Sequence, residues 1–364
     1  ELTFVGSMIN NAGSDTVPFM YAMNGISNIN NANQEKTWIT CHSGWATNLE
    51  VQYAYDPITN TGEAQLIGYP RYEMIDDPVK AAEWVKNLPY VTAENEQEYL
   101  DMVLNATTYY EAEDKTGLKQ PTENEMAIVN SALNVVVPTS VDSIKPGLFS
   151  GYTFDEDGEP KKVSEDATPD KYIQSVLLNG VDEIEPYTFK ECESLKEASV
   201  IGPEYIGEYA FDDCSSLETV TLGTNLTDTG KRPFRGCDIL TNIACLDSDF
   251  MYGEGVLYRN TPEGVEIVEC LESRGAVGGI GSYSVGPDEL TGVTKMKEEA
   301  FAGCDAIGKV DLSSTTVDVI PEGCFKDTDD LNSVVLPDTV KNIEAESFRD
   351  SGIRLLTIPG NQAY

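Results

Sequence analysis

From about residue 134 onward the apolar positions follow one recurring figure. An Ile leads, an Ala-Phe or Thr-Phe step follows, and Leu-x-x-Val-x-Leu closes the unit before a Pro or Gly. The anchoring phenylalanines are Phe149, Phe189, Phe211, Phe234, Phe301, Phe325 and Phe348. Their spacings are 40, 22, 23, 67, 24 and 23 residues. The base period is therefore 22–24; 67 is about three periods, and 40 is one period plus an insertion. A fixed period of this length is the signature of stacked repeats.

Each slot has a physical reading. The closing Leu-x-x-Val-x-Leu alternates as a half-buried strand does. Leu217, Val220 and Leu222 are expected inward, with Thr219 and Thr221 outward. Leu331, Val334 and Leu336 repeat this, with Ser333 and Val335 outward. Pro138, Pro337 and Pro359 follow such strands, where a residue without an N–H ends a ladder. The Ile and Phe are expected on the return leg, filling the space between coils. One coil cannot bury its own apolar face; a stack makes a continuous core.

Three residues after the Phe comes Cys192, Cys214, Cys237 or Cys304, and Thr328 or Ser351 in the last two units. Thr and Ser could not replace a disulfide partner, so this slot reads as a column of small, buried, reduced side chains. The rival reading is a secreted disulfide framework. No paired C-x-x-C supplies a zinc site.

The units "YIGEYAFDDCSSLETVTL" (205–222), "MKEEAFAGCDAIGKVDL" (296–312) and "VIPEGCFKDTDDLNSVVL" (319–336) resemble the leucine-rich repeat of BspA-like bacterial surface proteins. The resemblance covers roughly 134–364. "GEGVLYRNTPEGVEIVECL" at 253–271 is similar to that family's inserted hairpin, and the pattern resumes over 282–301. The first unit departs from it, with Tyr152 in the Cys slot and an acidic insertion at 151–170. The resemblance implies an extracellular or cell-surface protein that adheres to host proteins or other cells.

Residues 1–116 lack the repeat. Strand-like runs fall at 2–9, 17–23, 37–41, 49–55 and 64–73, separated by Gly, Asn and Asp clusters. Helices are expected near 78–87, 94–111 and 122–133, the last with a Thr122/Glu125 capping box. The expected fold is α+β. A small β-rich N-terminal domain or assembly arm with helices (1–116) and a helix capping the solenoid (117–133) precede the leucine-rich-repeat domain (134–364). That domain carries inserts at 151–170 and 253–281, with short parallel strands on its concave face. The chain opens at Glu1 without an initiating Met, which reads as a processed or trimmed product.

Charge narrows the partners. With 24 Lys and Arg against 62 Asp and Glu, the formal net charge is −38. A polyanion would be repelled, which excludes nucleic acid and argues against an anionic membrane surface. No apolar run is long enough to insert into a bilayer. Hydrophobic residues at 40% and aromatics at 9% suffice for cores, so this is not a disordered acidic chain.

Candidate chemistry is sparse. His42 is the sole histidine, which forbids a multi-His metal site. Its neighbour Cys41 would point to the opposite face of a strand, so the two do not form a dyad. Asp155, Asp157 and Glu159 alternate like a calcium loop, but Pro160 stands where such a loop needs its Gly. "GAVGGIGSYSVG" at 275–286 lacks the Lys-Ser/Thr of a phosphate loop. No cofactor, metal or catalytic residue is assigned.

The expected binding positions are the outward strand residues Glu197, Ser199, Thr219, Thr221, Asn242, Lys309, Asp311, Ser333, Val335, Leu355 and Thr357. They are small and mildly polar. The expected function is a non-enzymatic surface interaction protein binding protein or glycan on a host or neighbouring cell. The alternative is a structural subunit of a surface layer, appendage or virus particle, associating with copies of itself through its Asn-rich first 35 residues.

Overall fold

The computed structural model describes residues 2–6, 37–43, 49–56, 61–87, 91–156, 158–246, 249–273, 283–286 and 290–358. The strand-like run at 17–23 lies outside them. The repeat region is a β-solenoid. Asn134–Val137, Ser175–Leu178, Glu197–Val200, Thr219–Leu222 and Asn242–Cys245 form one parallel sheet in chain order. Thr219–Leu222 alternates as the sequence predicts, with Val220 and Leu222 buried and the two threonines half-exposed. The return legs carry two-residue strands, Glu183–Ile184, Tyr205–Ile206 and Asp228–Thr229, in a second parallel sheet. Further along, Tyr283–Val285, Ile307–Asp311, Ser333–Val335 and Leu355–Thr357 repeat the arrangement.

The anchoring phenylalanines stack along the solenoid. Ring centroids are 4.7 Å apart for Phe149–Phe189, 5.0 Å for Phe189–Phe211 and 5.5 Å for Phe211–Phe234. Phe301–Phe325 at 5.2 Å and Phe325–Phe348 at 5.3 Å form a second column. In each of the seven units the residues two before and two after the Phe have positive φ, between 41° and 74°. Only four of the units use Gly at one or both places, namely Gly147, Gly151, Gly236, Gly303 and Gly323. Elsewhere Tyr, Glu, Asp and Arg are held in the left-handed region, because the coil must turn sharply on either side of its core Phe.

The cysteine slot has a donor role. Cys214 Sγ donates to Phe189 O at 3.1 Å and Cys237 Sγ to Phe211 O at 3.2 Å. Each thiol thus reaches the anchor carbonyl of the preceding coil. Cys304 reaches Cys270 O at 3.0 Å, because the hairpin stands where the preceding coil would be. Thr328 and Ser351, shorter in reach, donate instead to their own coil's Phe325 and Phe348 carbonyls at 2.8 and 2.9 Å. The seven cysteines whose side chains are described are all free thiols.

The interval between Phe234 and Phe301 contains an antiparallel hairpin, with strands Phe250–Gly253, Val256–Thr261 and Gly264–Cys270. Both of its faces are apolar. Leu257, Val268 and Leu271 pack into the first core, while Val256, Ile267 and Cys270 pack into the second. The hairpin is therefore a septum between two cores rather than a surface decoration.

The N-terminal strands Leu2–Gly6, Thr37–Ser43, Glu50–Asp56 and Thr61–Gly68 form a sheet that continues into the solenoid. Gln65 and Leu66 pair in parallel with Ser143 and Ile144 of the first coil. The run expected as a strand over 64–73 ends at Gly68, and Tyr72–Ile75 (α1) is helical. Pro70 offers no N–H to prolong the ladder. Pro78–Lys86 (α2), Glu96–Glu111 (α3) and Glu123–Leu133 (α4) match the expected helices, and α4 has the capping box at Thr122 and Glu125.

The helix expected to cap the coils turns its buried face elsewhere. Ile128, Val129, Ala132 and Leu133 pack with Tyr72, Ile75, Val85 and Val103 in a helical layer of their own. What meets the first coil is the strand Thr61–Gly68 and the residue after it. Ala64 and Leu66 enter the solenoid core, and the Tyr69 ring lies 4.9 Å from Phe149 as an extra rung. A strand can hydrogen-bond to a coil's open edge as well as cover it, which a helix side cannot.

Candidate functional site

The expected binding positions fall on two sheets. On the first, Glu197, Thr219 and Asn242 lie in one cross-strand row, and Ser199 and Thr221 in the next. The structure extends both rows. Asn134 and Ser175 precede Glu197; Val136 and Leu177 precede Ser199. On the second sheet, Lys309, Ser333 and Leu355 share a row, as do Asp311, Val335 and Thr357. The septum hairpin stands between the two sheets in the chain. The eleven positions are thus two patches, each in register within itself.

The strand Ser175–Leu178 was not read from the sequence. Its signal was present, since Ile173, Val176 and Leu178 repeat Leu-x-x-Val-x-Leu and are buried. The acidic insertion before it hid the phase.

The first patch is small and polar. Ser175 Oγ donates to Asn134 Oδ1 at 2.8 Å across the leading pair of strands. Glu197 is the one carboxylate among its outward positions. At its leading edge the fold assembles aromatic surface that sequence spacing did not reveal. Tyr110 of α3 and Tyr172 of the first coil both pack on the buried Tyr72, at 5.7 and 5.4 Å, and remain 39% and 40% exposed. Gln174, the residue before Ser175, donates its side-chain amide to Tyr110 Oη at 3.3 Å. Three segments far apart in the chain make this cluster, so no local motif announces it.

The second patch carries more charge. Lys309 Nζ lies 3.3 Å from Asp311 Oδ2, and Asp311 also accepts from Ser313 N and Oγ. Partial burial would raise the Asp311 pKa, but the Ser313 bonds and Lys309 outweigh it and hold the carboxyl below its usual range.

The remaining candidates are structural or lie outside the described residues. Asp155 spends its carboxylate on Glu159 N at 3.0 Å, closing the turn of a small hairpin. Asp157, most of 275–286 and the side chains of Cys41 and His42 fall outside the description. Among the described residues no group of three or more His, Cys, Asp and Glu is placed to hold a metal. Burial pushes the Cys192, Cys214 and Cys237 thiols well up, away from the thiolate that nucleophilic chemistry needs.

A buried ionic cluster sits behind the Phe column. Asp212 is fully buried and takes Arg235 Nε and Nη2 at 2.5 Å and Lys190 Nζ at 2.8 Å. Burial would lower the Lys190 pKa; its bond to Asp212 outweighs that and holds the amine protonated. This cluster ties adjacent coils and presents no free nucleophile.

Comparison with known proteins places the repeat. No curated protein matches the chain. Solved structures similar to it include a leucine rich cell surface protein from Faecalibacterium prausnitzii A2-165, at 15% identity and TM-score 0.41, covering 65% of this chain and 68% of that one. The pneumococcal vaccine antigen PcpA matches at 20% identity and TM-score 0.43, over 63% of this chain and 62% of its own. A T. pallidum leucine rich repeat protein matches at 21% identity and TM-score 0.32, over 55% and 85%. The family model for the BspA type leucine rich repeat region matches residues 129–241, 182–262 and 289–364, more than half of the chain. With the stacked Phe column, the cysteine slot and the septum hairpin in place, the chain belongs to the BspA type leucine rich repeat family.

Proposed function

We propose that this chain is a non-enzymatic interaction protein of a bacterial cell surface, binding protein or glycan through the outward face of its first parallel sheet. The observation that carries this is the join of two features at one edge. Registered rows of Asn, Ser, Thr and Glu offer hydrogen bonds from a rigid sheet. Beside them stand the half-exposed rings of Tyr110 and Tyr172, the residue type that dominates binding hot spots. Rigid strands lose little entropy on binding, which suits recognition by many small polar contacts. The family resemblance supports the surface location, and the buried, protonated thiols support the non-enzymatic reading.

The test is a binding screen against immobilised glycans, extracellular-matrix proteins and intact cells, using the whole chain. Tyr172→Ala and Thr221→Arg should abolish whatever binding the unmodified protein shows, while a substitution at an exposed position of the return-leg sheet, such as Glu183→Arg, should not. Binding that survives both face substitutions would sink the assignment. Assembly through residues 1–35 concerns residues mostly outside the described ones, and nothing in the fold favours it over the face.

A further inference from the structure

The acidic insertion at 151–170 lengthens the first coil and folds back on it. Val163 N donates to Gly151 O at 2.9 Å. Val163 also lies so close to Gly147 that a Cβ there would meet its Cγ1 at 2.4 Å. Thr168 O accepts from Arg71 Nη1 at 3.1 Å. The insertion thus stands against the segment that follows Thr61–Gly68. Together with the end of α2 and the turn at 145–148, these segments wall a cavity of about 740 Å³. That is within the range of about 300–1,000 Å³ typical of small-molecule sites.

The walls differ in charge from the rest of the molecule. Among the described residues no Asp or Glu lines the cavity, in a chain that has 62 of them. Two cations do, Arg71 and Lys145. Lys145 is exposed, and among the described residues no carboxylate is paired with it. Its backbone is fixed, since Lys145 N donates to Leu66 O at 2.8 Å. Arg71 is partly compensated, with Nε 3.3 Å from Glu73 Oε1 and 3.7 Å from Asp170 Oδ2. Asp170 is committed elsewhere, accepting from Tyr69 Oη at 2.5 Å and from Tyr172 N and Ile173 N. Arg71 Nη2 has no hydrogen-bond acceptor among the described residues, and a donor buried without one is rare in folded proteins.

The other walls are apolar, with an amide and a hydroxyl among them. Trp84 of α2 is half-buried and gives aromatic surface. Met74 and Val163, both exposed, add aliphatic surface. Asn87 and Ser164 supply the amide and the hydroxyl. A bare inorganic anion would use the cations and leave the apolar walls wet. A peptide added as a strand needs a free edge, and Thr61–Gly68 is paired on both sides, with Glu50–Asp56 and with Ser143–Ile144. A ring with a C–H face, several hydroxyls and one carboxylate uses every wall.

We infer that this cavity binds a carboxylate-bearing sugar, a uronic or sialic acid residue, at a site separate from the face of the first sheet. The carboxylate pairs with Lys145, in a positive field to which Arg71 adds. The ring lies on Trp84 and the aliphatic wall, and its hydroxyls bond to Asn87 and Ser164. An aromatic side chain with a polar handle suits a ligand that is apolar on one side and wet on the other. The net charge of −38 opposes an acidic ligand only weakly at a distance, because salt screens exposed charges beyond about 8 Å. Contact with Lys145 is made inside that length.

The experiment is calorimetric titration of the whole chain with glucuronic acid and with N-acetylneuraminic acid, against glucose, inorganic phosphate and a short acidic peptide. At least one acidic sugar should bind roughly tenfold or more tightly than glucose, the worth of one charge-assisted hydrogen bond. Lys145→Glu changes an exposed, unpaired side chain. It should keep the unmodified melting temperature and lower that affinity at least roughly tenfold, while Lys145→Arg retains it. Thr221→Arg, which blocks the first sheet, should leave it unchanged, so the two sites stand or fall separately. Binding of neither acidic sugar overturns the inference. So does equal affinity for glucose or phosphate, tighter binding of the peptide, or binding that Lys145→Glu leaves intact.

Discussion

Phe234 N donates to the buried carboxylate of Glu269, at 3.1 Å from Oε2. In the coils before it, Phe189 N and Phe211 N donate to backbone carbonyls of the next coil, Ala210 O and Pro233 O. After Phe234 the next element is the septum hairpin, and a side chain stands in for the missing carbonyl. Glu272 does the same for Gly236 N, at 3.1 Å. Arg232, itself buried, pairs with both acids. The period is thus broken in the chain while these two donors stay satisfied.

Removing that acceptor should be costly. Glu269→Ala leaves the Phe234 N–H buried without its acceptor and leaves Arg232 with Glu272 alone. Unsatisfied buried polar groups cost about 1–3 kcal/mol, more when a charge is involved. Urea unfolding monitored by circular dichroism should show the midpoint falling accordingly. An unchanged midpoint would mean that water or another group takes the place of Glu269.

Glu269 should also make stability depend on pH. Burial pushes its carboxyl up to about 8, against the lowering effects of Arg232 and the Phe234 N–H. The unfolded chain releases this proton near the ordinary carboxylate value, about 4.3. Between those values the folded state holds more protons, so the contribution is complete at low pH and is lost as pH rises through about 8. Glu269→Gln should flatten the fall in melting temperature between about pH 5 and pH 8.5 relative to the unmodified protein. Parallel curves for the two proteins would contradict this.

The left-handed positions give a pair of opposite predictions. Asp327 has φ 54° and an exposed side chain, and the equivalent residues in other coils are Gly236 and Gly303. Asp327→Gly should stabilise by about 0.5 kcal/mol, the relief of left-handed strain less the added freedom of the unfolded chain. Gly236→Ala should destabilise by about 1–2 kcal/mol, because φ is +69° and the new Cβ would meet Asp213 Oδ1 at 2.4 Å. Chemical denaturation of the two single variants decides the signs.

The cysteine column predicts a reactivity pattern. The buried thiols of Cys192, Cys214, Cys237, Cys270, Cys304 and Cys324 should resist an aromatic disulfide reagent at pH 8 in the native protein and react fully in denaturant. Half-buried Cys245 should be the first of these seven to react. Cys214→Ala should cost about 1–2 kcal/mol, for the lost volume and the lost donor to Phe189 O. Rapid titration of several thiols in the native state would mean that the column is open.

The sequence by itself determined the repeat. Phe149 to Phe348, the Leu-x-x-Val-x-Leu alternation and the Cys slot are local, periodic signals, and burial of one face per coil is dictated by that period alone. The Thr122/Glu125 box likewise named its own helix, because capping is settled within four residues. Tertiary structure decided what depends on contacts between distant segments. Tyr69 reaching Phe149, and Tyr110 meeting Tyr172, join residues whose separation carries no periodic trace. The role of Glu269 was hidden for the same reason. A carboxylate in a chain with 62 acids looks like solvated surface until the fold brings an unsatisfied N–H to it.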